Sequence, residues 1–168
     1  KMKQALKMAQ SIGDKLLEAR ILSSLACGAI IDGDVRKFQS TVIVILSIFK
    51  EIDDPVNEVT LLCSLAESLT RIDSFSDSNI WYHKALVVAK NSNQYDACVK
   101  ILNKIGTQLQ EIPTSSRLEQ VQMLHKSGNY FKEGLKIANE KNLSKKHKSI
   151  MLNNIGNMYF NIGYHDLA

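Results

Sequence analysis

Turn-forming residues are scarce in this chain: two prolines and eight glycines among 168 residues. So few exclude long irregular stretches and an all-β domain of many short strands, and they favour a mostly helical protein. Net charge is also small, +4, with 45% apolar residues, which excludes a disordered chain. Cysteine is confined to Cys27, Cys63 and Cys98, an odd number, far apart and without a C-x-x-C. They read as reduced thiols of a cytosolic or nuclear protein, not as a disulfide framework. The longest apolar run, Thr41 to Phe49, is about half the roughly eighteen residues of a membrane span, so no membrane insertion is expected.

What the chain does have is a repeat. Leu22-Ser23-Ser24-Leu25-Ala26, Leu62-Cys63-Ser64-Leu65-Ala66, Leu102-Asn103-Lys104-Ile105-Gly106 and Leu152-Asn153-Asn154-Ile155-Gly156 start at spacings of 40, 40 and 50 residues. A period in this range marks one supersecondary unit stacked on copies of itself. Each copy continues an i, i+3, i+4, i+7 stripe, such as Leu62, Leu65, Ala66 and Leu69. That is one face of a helix of about seventeen residues. Ala26, Ala66, Gly106 and Gly156 share a position, where a second helix is expected to approach too closely for a larger side chain.

Eight residues before each leucine stand Gly13-Asp14, Asp53-Asp54, Asn93-Gln94 and Leu143-Ser144. Asp14, Asp54 and Ser144 are suited to cap a helix start, Pro55 fits the first helical position, and Gln94 is the weak member. Breaks are expected at Gly33-Asp34, Asp73-Ser74, Pro113-Thr114 and Gly163-Tyr164, each followed by a second helix. Val35 to Glu51 and Ser76 to Asn91 are two of these. Residues 113–141 exceed the rhythm by ten. The reading adopted there is a helix over 115–127, a break at Gly128-Asn129 and a helix over Tyr130 to Glu140; one longer kinked helix over 115–141 is the alternative.

The fold expected is therefore all-α, an α-solenoid of antiparallel helix pairs. Residues 1–13 end a truncated repeat, 14–53 and 54–93 are full repeats, 94–142 is a longer irregular one, and 143–168 begins another. The sequence is expected to be a piece of a longer array, starting and stopping inside helical patterns. Positive charge gathers at one end: residues 113–168 hold 8 basic and 4 acidic side chains, including Lys141, Lys145, Lys146 and Lys148. A solvated helix start accounts for that, and a docking patch for an acidic partner or phosphate is the alternative.

These residues resemble tetratricopeptide repeats, above all the forty-residue kind of the Leu-Gly-Asn polarity adaptors and kinesin light chains. Leu152-Asn153-Asn154-Ile155-Gly156-Asn157-Met158-Tyr159, with Gly163 and Ala168, nearly reproduces the family pattern, and Trp81-Tyr82-His83-Lys84-Ala85-Leu86 is similar to its second helix. Ala26 and Ala66 depart from the family's glycine, and Ser78 stands where alanine is usual. The resemblance implies a right-handed superhelix whose first helices line a concave peptide-binding groove. Its side chains would be Arg20, Ser23 and Cys27, then Cys63, Glu67 and Arg71, then Lys100, Asn103, Thr107 and Gln110, then Asn153, Asn157 and Asn161. Apart from the family, the spacing i, i+3, i+7, i+10 puts such positions on one helical face. Asparagines there offer both donors and acceptors to an extended backbone. The basic clamp that would take a chaperone's terminal carboxylate is incomplete, so that ligand is not expected.

No nucleotide-loop, dinucleotide, zinc-protease or nucleophile-elbow motif is present. His83, His125, His147 and His165 are scattered and read as surface or packing residues, so no catalytic residue, metal or cofactor is expected. The leading reading is a cytoplasmic scaffold or adaptor, not an enzyme, that binds a protein or peptide partner. Other domains of the same longer chain are candidate partners, and nucleic acid is not expected because the tyrosines are not interleaved with Lys and Arg. The alternative is a ligand- or peptide-sensing segment of a larger signalling or transcription regulator.

Overall fold

The structure, a computed structural model, describes residues 1–167, with side chains through Gly163. Ala168, part of the motif match, and the His165 side chain lie outside the described residues. Among the described residues there are eight α-helices and no strand. The chain divides into two compact units, residues 1–88 and 89–168.

The first unit holds α1 (Met2–Ile12), α2 (Lys15–Ile31), α3 (Val35–Ile52), α4 (Pro55–Thr70) and most of α5 (Phe75–Asn91). Here α2 packs against α1, α3 and α4. Its core joins Ala19, Leu22 and Ala26 of α2 to Val42, Ile45, Ile48 and Phe49 of α3 and to Leu65 of α4. In the second unit α7 (Arg117–Glu140) packs against both α6 (Tyr95–Glu111) and α8 (Lys145–Leu167), and α6 also touches α8. Val99, Phe131, Ala138 and Met151 fill its centre. In both units consecutive helices pack as adjacent pairs, the all-α hairpin arrangement that the repeat period calls for.

The turns explain that period. Residues with left-handed backbone fall at Gly13, Gly33, Asp53, Asp73 and Asn93, a spacing of 20, and again at Asn142. Gly is free of the Cβ penalty in this region, and Asp and Asn tolerate it better than most residues. After five of the six, the next N–H reaches five residues back: Asp14 to the Ala9 carbonyl, Asp34 to Ala29, Ser74 to Leu69, Gln94 to Ala89 and Leu143 to Ala138. This closure ends a helix and reverses the chain in two or three residues. The turn after α6 differs, because Pro113 restricts Ile112, which is extended (φ −66°, ψ 123°).

Two of the expected helix starts are capped as read. Asp14 accepts from Leu17 N–H at 2.9 Å, and Asp54 from Asn57 N–H at 3.1 Å. Asp34 and Ser116 cap α3 and α7 in the same way, and Gln94 makes no cap bond. Ser144 differs from expectation: its hydroxyl pairs with the His147 ring at 2.8 Å. The Asn57 side chain, also donating to Asp54 at 2.7 Å, and then the Asn57 N–H hold the Asp54 carboxyl below its ordinary value. Asp54→Ala is expected to cost about 1 kcal/mol at neutral pH, read by urea unfolding. The folded pKa lies below the unfolded value of about 3.9, so the stabilisation is complete above the latter and lost as pH falls through the former. The gap between wild type and variant should therefore narrow in acid; a constant gap would assign the loss to something other than the carboxylate.

Two expected breaks do not form. α7 runs unbroken through Gly128, so the two-helix reading of 115–140 is replaced by one helix of 24 residues. Gly128 serves helix packing: a Cβ there would lie 2.6 Å from Met158 Cε on α8. Likewise α8 continues through Gly163 to Leu167 instead of stopping at Gly163-Tyr164. A glycine costs a helix about 1 kcal/mol but does not end it without the left-handed turn, which Gly163 lacks. The shared small-residue position holds for three copies. Ala26 and Ala66 are fully buried, and a Cβ on Gly106 would meet Phe131 Cε1 at 2.5 Å. At Gly156 nothing comes within 4 Å among the described residues.

Candidate functional site

The residues singled out for a groove fall into both units. In the first, α2 carries Arg20, Ser23 and Cys27, and the neighbouring α4 carries Cys63 and Glu67, with Arg71 at its C-terminal end. Arg20 and Arg71 are exposed, while Cys27, Cys63 and Glu67 are half-buried. Ser23 is only 4% exposed, because α2 lies against its neighbours there, so it offers no surface to a ligand. None of the three cysteines is in a disulfide, and burial pushes the thiol of Cys98 up.

The second unit builds a more distinct site. α6 and α8 flank a cleft of about 320 Å³ lined by Val99, Lys100 and Asn103 on one side and Lys146, His147, Ile150 and Met151 on the other. Asn154 Nδ2 on α8 donates to Asn103 Oδ1 on α6 at 2.6 Å. That bond leaves Asn103 Nδ2 as a donor and Asn154 Oδ1 as an acceptor, the two groups that an extended peptide strand requires. Asp96 lies beside two of these residues, with Lys100 Nζ at 3.3 Å and the His147 ring Nδ1 at 3.5 Å. Thr107 is exposed and donates to its own helix, at the Asn103 carbonyl. Gln110 is tied to α7: its Nε2 donates at 2.7 Å to Ser127, a residue wholly buried. It therefore holds the α6–α7 hairpin. On α8, Asn153 and Asn157 are exposed and Asn161 is half-buried.

Asn154, Lys146 and His147 are the site residues that the repeat pattern missed. The cause is register. Leu152 and Tyr159, read as the packing stripe, are 56% and 52% exposed, whereas Met151 and Met158 are buried to 1%. A shift of one residue turns a helical face by about 100°, which brings Asn154 to α6 in place of Asn153. The i, i+7 pair of methionines was the available signal.

No protein-family model matches the sequence, and no curated protein matches it. Among the described residues no three His, Cys, Asp or Glu side chains are grouped to hold a metal ion. No helix among them is long and apolar enough to cross a membrane.

Proposed function

We propose that this chain is a helical-repeat interaction module of tetratricopeptide type. It serves as a cytoplasmic scaffold or adaptor, not as an enzyme, and holds an extended segment of a protein partner along its first-helix faces. The observation that carries the reading is the Asn103–Asn154 pair beside the α6–α8 cleft. A donor and an acceptor fixed side by side on two rigid helices match the alternating N–H and C=O groups of a peptide strand. Asn157, on the exposed continuation of α8, extends the same polar strip. Lys100 and Lys146 at the cleft mouth add long-range attraction for an acidic segment, chiefly to its rate of approach.

The test begins with panning a random peptide library on the purified chain and measuring the selected peptides by calorimetry. Asn103→Ala with Asn154→Ala is expected to weaken them about tenfold, the equivalent of about 1.4 kcal/mol. The melting temperature should stay close to that of wild type, since both side chains sit at the surface of the packing. Equal affinity for the double variant would remove the strip from the binding site.

A further inference from the structure

The first unit contains a larger cavity that this peptide reading does not use. It has a volume of about 680 Å³ and lies among α3, α4 and α5. Leu46 of α3, Leu62 of α4 and Ile80, Val87 and Val88 of α5 give it an apolar wall. α5 places Asn79, Ile80, His83, Lys84, Val87 and Val88 along one side of the cavity. The opposite side of the same helix, with Ser78, Tyr82, Ala85 and Leu86, is buried in packing. The lined stretch of α5, Asn79 to Val88, spans ten residues, about 14 Å along the axis. Both volume and length suit a single small molecule.

The polar groups in this wall are unequally satisfied. Lys84 Nζ lies 4.0 Å from the centre of the Trp81 ring, and the His83 ring bonds the Asn79 carbonyl at 2.9 Å. The Glu58 carboxyl, in contrast, makes no ion pair or side-chain hydrogen bond among the described residues, and burial alone pushes its pKa up. Asn79 Oδ1 is closed off from solvent without a partner. Glu58 is thus a carboxylate without a protein donor in an otherwise apolar wall. A hydrogen bond to a charged group contributes about 1.5–3 kcal/mol, which an ammonium on a ligand would gain at Glu58.

We infer that the α3–α4–α5 cavity binds a small primary amine with an apolar body, its ammonium group on Glu58. The body lies against Leu46, Ile80 and Val87, and the ammonium supplies the donor that the Glu58 carboxylate lacks.

Three probes of one skeleton separate this from general greasiness: phenethylamine, phenethyl alcohol and 3-phenylpropionate, titrated into the whole chain with methyl-labelled Leu and Val. Saturable shifts at Leu46, Leu62, Val87 and Val88 are expected with phenethylamine, at an affinity at least tenfold above the alcohol, and no saturation with the acid. Glu58→Gln, nearly isosteric at a half-exposed position, should lower the amine to the level of the alcohol and leave the alcohol unchanged. Val87→Trp, at an exposed position, should fill the cavity and abolish both. Equal binding of amine and acid, an amine indifferent to Glu58→Gln, or no saturable shift at these methyls would overturn the inference. None of these results bears on the Asn103–Asn154 strip.

Discussion

Phe131→Ala is expected to destabilise the second unit by about 3–5 kcal/mol, the range for removing a buried aromatic ring. The ring is 1% exposed and sits at the centre of that unit, over Gly106. Truncation removes both its burial and the filling of the gap the glycine leaves. The complementary change is Gly106→Ala. Its Cβ would lie 2.5 Å from Cε1 and 2.9 Å from Cδ1 and Cζ, against the edge of a rigid ring that is itself buried. That overlap should cost about 1–3 kcal/mol, more than the roughly 1 kcal/mol of helix propensity that alanine restores. Gly128→Ala supplies the contrast. It too meets a neighbour, at 2.6 Å, but that atom is the terminal methyl of Met158, on a side chain with three rotatable bonds. Propensity and overlap then nearly cancel, and the variant should stay within about 1 kcal/mol of wild type. Urea unfolding followed by circular dichroism reads all three. A loss under about 1 kcal/mol for Phe131→Ala would mean that α6 and α7 do not meet through this ring.

The second large effect separates two leucines that look equivalent in the repeat. Leu102 is fully buried, and Leu102→Ala should cost about 2–5 kcal/mol. Leu152, at the same place in its own copy, is 56% exposed, and Leu152→Ala should change stability by no more than about 0.5 kcal/mol. The same unfolding assay decides the matter. Similar losses at both positions would show that α8 packs by its leucine and not by Met151 and Met158.

That contrast shows how far the residues alone carried the reading. Helix existence followed from the stripes, as did the lengths of α2, α4 and α6, and most ends followed from Asp, Asn and Gly, because these events are local: a cap is one side chain on one N–H, and a reversal is one left-handed residue. Gly128 and Gly163 defeated the same logic. Glycine marks either a turn or a close approach, and only the neighbour, Met158 for Gly128, tells which. The face of α8 was misread for a related reason. Its leucine frame was copied from earlier repeats, whereas packing on α7 selected methionines one residue away. The Asn103–Asn154 bond joins residues 51 positions apart, and no periodicity within one helix identifies its partner.

The extended Ile112-Pro113 passage sets one connection apart from the others. Left-handed closures fix the direction in which each helix leaves, so a residue added beside one would rotate everything downstream out of register. The passage between α6 and α7 carries no such closure, and the ten surplus residues of the chain follow directly upon it. It is the natural site for splicing in foreign sequence, since length gained in this loop disturbs no left-handed closure.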